Sequence, residues 1–219
     1  MAATSHRQFE IMKIMSEHSI QAVFFDYGGV IADEGFQNGL RSMAREQGLD
    51  GDAMLKVAKY AIYDSGFILG WGTEREFWRL MREGSGLKGS DSELTDRVLR
   101  GFVLRPWMIE RVQRLHTRGL ITGILSDQTH WLDWLNERDN FFQYFDHVFN
   151  SYHMGKGKRD PDLFRDITAK LTLSPGEILI VDDMKSNVER AQAAGWKTIC
   201  YSGKAEFLEE FDEILPEAA

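Results

Sequence analysis

Three short apolar runs most constrain how this chain can fold. Ala-Val-Phe-Phe (22–25), Ile-Thr-Gly-Ile-Leu (121–125) and Ile-Leu-Ile-Val (178–181) each lead directly into a polar side chain. Continuous apolar runs of this length are typical of parallel strands that helices cover on both faces. Two weaker strands are predicted at 147–150 and 197–201. The pattern predicts an α/β protein whose core is a Rossmann-like, doubly wound parallel sheet.

The segments between the later runs carry signals for helix ends. Residues 108–118 have apolar side chains at helical spacing and stop at Gly119. Asp160-Pro161 is typical of an N-cap followed by proline at the first helical position. Ser186-x-x-Glu189 predicts a capping box at the start of another helix. Strand and helix are therefore predicted to alternate along this part of the chain.

One long interval departs from this alternation. More than ninety residues separate Asp26 from the next strand, far more than a normal crossover connection contains. The interval is rich in helix signals, including capping boxes at Thr73-x-x-Glu76 and Ser90-x-x-Glu93. We predict an N-terminal extension at 1–20, a core formed by residues 21–33 and 103–219, and an inserted all-helical cap at 34–102.

Composition narrows the classes of function. The chain has 26 Lys and Arg against 34 Asp and Glu, a formal net charge of −8, which argues against a nucleic-acid or anionic-membrane binder. No apolar stretch approaches the roughly 18 residues of a membrane-spanning helix, and residues 1–19 lack the apolar block of a signal peptide. With Cys200 as the single cysteine, a cytoplasmic protein is expected, as a monomer or homodimer.

Polar side chains follow the predicted strands at the edge where ligands bind in open parallel sheets. Clustered carboxylates repel one another unless a cation lies between them. Hard oxygen ligands suit Mg²⁺, which also binds phosphate oxygens. The set therefore predicts a magnesium site for a phosphorylated substrate. Its members are Asp26, Ser126, Asp182, Asp183 and Lys158, with Lys156 as the alternative lysine.

Each of these residue types suits one part of phosphoryl transfer. Asp26 is a candidate nucleophile, because carboxylates form covalent phosphoryl intermediates. Gly28 and Gly29 allow the backbone to approach an anion closely. Ser126 and the amides after it would bind further phosphoryl oxygens, and a lysine would neutralise developing charge.

The same residues resemble the motifs of a known family. Asp26, Ser126, Lys158 and the pair Asp182-Asp183 occur in the order of motifs I to IV of the haloacid dehalogenase-like (HAD) hydrolase superfamily. The resemblance covers nearly all of residues 21–201. The helical insertion lies where that family carries its C1-type cap, and the first motif resembles the family's Asp-x-Gly-Gly branch.

The resemblance implies a role for each residue. Asp26 would be the aspartyl nucleophile and a Mg²⁺ ligand, and Asp183 would be a second ligand. Asp182 would hold metal-bound water or Lys158, and the backbone carbonyl of Gly28 would also bind the metal. The catalytic set is then Asp26, Ser126 and Lys158. The residues expected to contact substrate are Tyr27, Gly28, Gly29, Ser126, Asp127, Asn187 and, on the cap, Trp71.

Three positions depart from the family's pattern. Gly28 stands where the family's phosphatases usually have a second aspartate, which acts as general acid and base. Asp127 stands where many relatives have asparagine, and Arg159 where the family usually has proline. Relatives with an Asp-x-Gly-Gly motif exist, so the glycine does not exclude a phosphatase, although the usual proton donor is missing.

These features favour one function over several alternatives. The leading hypothesis is a Mg²⁺-dependent phosphomonoesterase that acts on a small phosphorylated metabolite through an aspartyl-phosphate on Asp26. A haloacid dehalogenase-type carbon–halogen hydrolase is an alternative, because a halide leaving group needs no proton and therefore suits Gly28. Another is a catalytically weak relative that binds a phosphorylated ligand. A receiver-type signalling module is disfavoured, because in such modules the acidic pair comes first and no helical cap is inserted.

Overall fold

The computed structural model describes residues 19–216, whose framework is a five-stranded parallel sheet. Its strands are β1 (Ala22–Phe25), β2 (Ile121–Ser126), β3 (His147–Asn150), β4 (Ile178–Asp182) and β5 (Lys197–Cys200). They lie in the order β3-β2-β1-β4-β5, and each neighbouring pair is parallel. Helices flank the sheet, and the predicted α/β fold with a doubly wound parallel sheet is confirmed.

The register of the sheet brings the ends of its central strands to one edge. Phe25 of β1 pairs with Ile124 of β2 and with Val181 of β4. The N–H of Asp26 donates a hydrogen bond to the carbonyl of Val181 at 2.9 Å. The polar residues that follow these strands therefore lie at the same level of the sheet.

The side chains of β1 explain why its apolar run is unbroken. Val23 and Phe25 pack into one hydrophobic core, while Ala22 and Phe24 pack into a second core. Successive side chains of a strand point to opposite faces of the sheet. Because helices cover both faces, all four residues are fully buried and none can be polar without cost.

The helices fall into two groups. The first four follow β1 directly in sequence, and they are α1 (Gly35–Glu46), α2 (Gly51–Asp64), α3 (Glu74–Ser85) and α4 (Asp91–Arg100). The helices that accompany the rest of the sheet are α5 (Pro106–Thr117), α6 (Trp131–Asp139), α7 (Ser151–Met154), α8 (Leu163–Leu171), α9 (Lys185–Ala193) and α10 (Lys204–Ile214). Short 3-10 turns occupy Phe67–Leu69, Phe142–Tyr144 and Pro175–Glu177.

Helices α1 to α4 form the helical cap. The Thr73 side chain accepts the N–H of Glu76 at the start of α3, and Ser90 with Glu93 forms a complete capping box at the start of α4. Both predicted helix starts are thereby confirmed. The cap boundaries at 34 and 102 stay a prediction.

Aromatic packing attaches the cap to the core. The Trp78 ring of α3 is fully buried, and its centre lies 6.0 Å from that of Trp131 in α6. Phe67 and Phe77 of the cap also contact the Trp131 ring. Aromatic rings at such separations add to the stabilisation that comes from burial alone. The cap therefore packs on the sheet edge through a shared apolar contact.

The predicted start of helix α8 is wrong. The helix begins at Leu163 and not at Pro161. The preceding residues form a turn in which the N–H of Asp160 donates to the carbonyl of Gly157 at 2.9 Å. The Asp160 side chain accepts the N–H of Asp162 within this turn. Asp160-Pro161 is therefore a turn signal here.

The predicted capping box at Ser186 is also wrong. Helix α9 begins at Lys185, so Ser186 lies inside the helix and does not cap it. Asp182 Oδ1 instead accepts the N–H of Met184, the residue before the helix, at 2.8 Å. At this helix start the side-chain acceptor is therefore Asp182 at the end of β4, which binds the Met184 N–H, and not Ser186.

Two sequence predictions concern the chain's surroundings. Within residues 19–216, no helix combines the length and hydropathy that a membrane crossing requires. The predicted N-terminal extension at 1–20 lies almost wholly outside the described residues. The cytoplasmic location and the monomeric or homodimeric state stay predictions.

Candidate active site

Asp26 lies at the end of the central strand, where three donors surround its carboxylate. Oδ1 accepts hydrogen bonds from the backbone N–H of Tyr27 at 2.7 Å and from the Ser126 hydroxyl at 2.6 Å. Oδ2 lies 3.1 Å from the Lys158 ammonium. Burial raises the pKa of Asp26 to about 8, while Lys158 acts in the opposite direction. A further cation beside this carboxylate would favour its ionised form.

Lys158 is a buried lysine whose charge is balanced by carboxylates. Its side chain is 0% exposed, and its ammonium contacts Asp182 as well as Asp26. Burial disfavours the charged form, but the carboxylates of Asp182 and Asp26 outweigh this effect and raise the pKa of Lys158 above its usual value. The alternative lysine, Lys156, instead pairs with Asp166 at 2.7 Å.

Asp182 connects Lys158 with the start of helix α9. Besides contacting Lys158 and Met184, its two carboxylate oxygens accept hydrogen bonds from Asn187 Nδ2 at 3.1 and 3.2 Å. The contact with Lys158 is one of the two roles implied for Asp182 by the resemblance. Asn187 lines the cavity described below, but its amide is directed at Asp182.

Asp183 lies against the backbone of Gly29. A Cβ at Gly29 would lie only 2.4 Å from Asp183 Oδ2, so a side chain there would displace the carboxylate. Gly29 also has a φ of +81°, which glycine adopts without strain. Oxygens of Asp26, Asp182 and Asp183 all lie within 4.8 Å of one another. The sequence predicts a close approach between the Gly29 backbone and an anion. In the structure, the anion close to Gly29 is the Asp183 carboxylate.

Glu34 is a cavity residue that the sequence analysis did not select. A Cβ at Gly28 would lie 2.9 Å from Glu34 Oε2, so the glutamate fills space that a side chain at position 28 would need. Glu34 Oε1 accepts the N–H of Gln37 at the start of α1. Burial raises the pKa of Glu34. No motif in the sequence points to this carboxyl, since the turn after β1 brings it back to Gly28.

Asp127 and Arg159 both contact the cap. Asp127 Oδ1 accepts the N–H of Lys158 at 2.8 Å, and Oδ2 accepts the hydroxyl of Tyr63 in α2 at 3.4 Å. The guanidinium of Arg159 lies 3.8 Å from the centre of the Tyr63 ring. Two of the three positions that depart from the family pattern therefore meet the same cap residue.

Two residues predicted to contact substrate do not bring their side chains to the cavity. The Tyr27 ring is fully buried between Phe102 and Phe141, because its side chain points away from that of Asp26. Only the backbone N–H of Tyr27 reaches the site. Trp71 is 74% exposed, lies beside Gly155 and does not line the cavity.

The carboxylates open into a cavity of about 830 Å³ between the sheet edge and the cap. Asp26, Ser126 and Asp183 contribute to its wall from the core, and Leu55 and Ile62 of α2 contribute from the cap. This volume falls within the range of known small-molecule pockets. The site can therefore hold a metabolite and bury much of it.

Comparison with known proteins identifies the family. A family model described as haloacid dehalogenase-like hydrolase matches residues 20–195. The chain belongs to this family of hydrolases. The matched range includes β1 to β4 and the positions of all four candidate motifs, and it confirms the predicted superfamily. The C1-type cap and the Asp-x-Gly-Gly branch stay predictions.

Similarity to individual proteins is more distant. This HAD-like hydrolase is 26% identical over 140 residues to bifunctional epoxide hydrolase 2 of Rattus norvegicus. The aligned region covers 59% of the chain but 25% of that relative, so the chain spans about a quarter of the relative's length.

Two solved structures share the fold of the HAD-like hydrolase. A HAD family enzyme of Bacteroides thetaiotaomicron, in complex with magnesium and inorganic phosphate, has a TM-score of 0.62 and 22% identity. That similarity covers 85% of this chain and 96% of the other. L-2-haloacid dehalogenase of Xanthobacter autotrophicus, with covalently bound chloropropionic acid, has a TM-score of 0.59 and 20% identity over 89% and 83% of the two chains.

Proposed function

We propose that this HAD-like hydrolase is a Mg²⁺-dependent phosphomonoesterase of a small phosphorylated metabolite. The observation that carries the proposal is the cluster of Asp26, Asp182 and Asp183, with oxygens within 4.8 Å, beside the buried Lys158. Carboxylates at this separation repel one another unless a cation reduces their charge. Hydrolysis of a doubly charged phosphoryl group also requires positive charge at the reacting centre.

Asp26, Asp183 and the backbone carbonyl of Gly28 are the proposed ligands of Mg²⁺. They offer the hard oxygen donors that this ion prefers. Asp182 is less available, since its oxygens already accept hydrogen bonds from Asn187 and Met184. When bound, Mg²⁺ would neutralise charge on the phosphoryl oxygens.

In the proposed reaction, a carboxylate oxygen of Asp26 attacks phosphorus while the bond from phosphorus to the leaving-group oxygen breaks. The leaving oxygen takes a proton from the Glu34 carboxyl and departs as an alcohol. Water then attacks the phosphorus of the aspartyl-phosphate, returns a proton to Glu34 and releases inorganic phosphate. The contacts of Ser126 and Lys158 with Asp26 support roles in orienting it and in binding phosphoryl oxygens.

The relative from Bacteroides thetaiotaomicron supports this proposal. That enzyme has a similar fold, and its complex contains magnesium and inorganic phosphate. These are the metal and one product of the reaction proposed here. A small phosphorylated metabolite is consistent with the cavity volume of about 830 Å³.

Phosphate release from p-nitrophenyl phosphate tests the proposal. We expect turnover in excess Mg²⁺ that is lost in EDTA, and no turnover by Asp26→Asn. Asp64→Asn, which changes an exposed aspartate of the cap, is the control and should retain activity. Equal rates in Mg²⁺ and EDTA, or full activity of Asp26→Asn, would contradict the proposal.

Gly28 favours carbon–halogen hydrolysis as a second candidate function, because a halide leaves without a proton. The L-2-haloacid dehalogenase of similar fold gives this alternative a precedent. Halide release from 2-chloropropionate in EDTA, without phosphate release in Mg²⁺, would replace the phosphatase proposal. Proximity of Glu34 to Gly28 weighs against it, since that carboxyl can serve a leaving group that needs a proton.

A catalytically weak relative that binds phosphorylated ligands makes a different prediction. Its aspartyl-phosphate would persist, because hydrolysis of the intermediate would be slow. Mass spectrometry of the protein after mixing with p-nitrophenyl phosphate distinguishes the cases. A phosphoryl group that remains on Asp26 for minutes would identify the weak relative, whereas a phosphatase should return to the free carboxylate.

A further inference from the structure

Four basic side chains line the cavity, and none of them is Lys158, the buried lysine of the candidate active site. Lys56 and Lys59 belong to helix α2 of the cap. Arg159 follows Lys158 in the core, and Arg190 belongs to helix α9. The cations therefore come from three separate segments, on both sides of the cavity.

These four cations have no carboxylate partner within 4.0 Å among residues 19–216, unlike Lys156, which pairs with Asp166. Arg190 donates to the Ser186 carbonyl and to Asn187 Oδ1, and Arg159 stacks on Tyr63. The ammonium groups of Lys56 and Lys59 have no hydrogen-bond partner in this part of the protein. Their charge is thus available to a ligand.

The position of Lys59 on its helix distinguishes it from an ordinary surface lysine. Leu55, Lys59 and Ile62 follow at helical spacing, and all three line the cavity. Helix α2 therefore presents an exposed lysine between Leu55 and Ile62, the two residues that form the apolar stripe of α2 along the cavity wall.

The phosphoryl group itself does not require these cations. Lys158 already contacts Asp26, and the carboxylate cluster accounts for the proposed Mg²⁺. The cavity of about 830 Å³ is also lined by Leu55 and Ile62, so a substrate that fills it has a body beyond its phosphoryl group. Unpaired positive charge on the wall of the same cavity fits a second negative group on that body.

We propose that the substrate is a phosphomonoester whose leaving group carries a second anionic group, bound by Lys56 and Lys59 of the cap with Arg159 and Arg190 of the core. This inference rests on the proposed phosphatase function. The second group is a carboxylate or another phosphate, since both accept charge-assisted hydrogen bonds from lysine and arginine. The leaving group between the two anions lies against the apolar stripe of α2.

Three six-carbon esters with the same chain test the inference. Hexyl phosphate has a neutral tail, 6-(phosphonooxy)hexanoate a carboxylate tail, and hexane-1,6-diyl bisphosphate a second phosphate. We expect kcat/KM for one or both charged tails to exceed that for hexyl phosphate by roughly tenfold, the size expected of a charged hydrogen bond. A gain for one charged ester alone identifies the second group as carboxylate or phosphate.

Substitution of the two lysines assigns this preference to the cavity. The double variant Lys56→Gln/Lys59→Gln should reduce the ratio of kcat/KM between charged and neutral esters several-fold, mainly through KM, because only Arg159 and Arg190 of the four cations remain. Lys88→Gln is the matched control, because Lys88 is an exposed cap lysine that does not line the cavity. It should keep the wild-type ratio.

The outcomes separate this inference from the proposed function. Equal kcat/KM for all three esters, or a preference that the double variant retains, would overturn the inference while phosphate release still supports the phosphatase. Absence of phosphate release from the three esters and from p-nitrophenyl phosphate would overturn both.

Discussion

Among single residues, Gly28 and Glu34 illustrate how the fold can bring a carboxyl to a position where the motif lacks one. The glycine removes a carboxyl from the position two residues after Asp26, and Glu34 Oε2 lies 2.9 Å from where a Cβ at Gly28 would be. Two backbone hydrogen bonds fold the chain back here, from Ile31 to the carbonyl of Asp26 and from Ala32 to that of Tyr27. The missing group could be predicted from the sequence. Its replacement could not, because it depends on that turn.

Glu34→Gln should lower kcat for hexyl phosphate by roughly a hundredfold, the contribution of a typical general acid. The decrease for p-nitrophenyl phosphate should be much smaller, since its leaving group departs without a proton. Glutamine keeps an oxygen that can accept the Gln37 N–H, so the start of α1 should survive. Comparing kcat for the two esters checks this. Glu110→Gln, at an exposed position of α5, is the control. Equal decreases in kcat for both esters in Glu34→Gln would exclude Glu34 as the general acid.

Gly29→Ala should weaken the response to Mg²⁺, because the new Cβ would lie 2.4 Å from Asp183 Oδ2 and push that carboxylate away. The Mg²⁺ concentration for half-maximal phosphatase activity should rise roughly tenfold, as when a ligand's support is lost. Calorimetric titration with Mg²⁺ gives a readout independent of activity.

Gly119→Ala is a matched control for that substitution. Its φ is +79° against +81° at Gly29, and nothing lies within 4 Å of its Cβ. Both variants should lose about 1 kcal/mol of unfolding free energy, the cost of a side chain in left-handed backbone. Only Gly29→Ala should alter Mg²⁺ binding, and an unchanged titration would argue against Asp183 as a ligand.

Among the secondary-structure elements, the correct predictions are those that depend on side chains within or next to the element itself. The run 22–25 predicts β1 because its own four side chains fill two cores. Thr73 and Ser90 predict helix starts because each accepts an N–H only three residues away. The prediction from Ser186 fails because Asp182, which lies outside the helix, accepts the N–H of Met184, the residue before the helix. A capping pattern cannot reveal a competing acceptor that tertiary structure supplies.

At the scale of the whole molecule, parallel strands explain why residues remote in sequence could be assigned to one site. Asp26, Ser126 and Asp182 lie at neighbouring strand ends, so the α/β alternation alone predicts their proximity. No comparable rule predicts which cap residues lie close to the site. Contacts such as that between Tyr63 and Asp127 depend on how two separately packed layers of structure meet, and no short pattern encodes this.

Asp182→Asn should destabilise the whole molecule by about 3 kcal/mol, because it leaves the buried ammonium of Lys158 without one of its two carboxylates. Urea unfolding, followed by circular dichroism, measures the change. Asp166→Asn removes the carboxylate of the exposed pair with Lys156 and should have little effect. Similar midpoints for the two variants would show that the buried pair contributes no more than the exposed one.

The three contacts of Asp182, with Lys158, Met184 and Asn187, have an evolutionary consequence. A descendant of this chain that had abandoned catalysis would still need the aspartate to fold, so selection for stability would preserve it. Its persistence in a homologue is therefore poor evidence that an ancestral activity survives. Loss of Asp26 or Asp183, on which no helix start depends, would be the more informative mark of a pseudoenzyme.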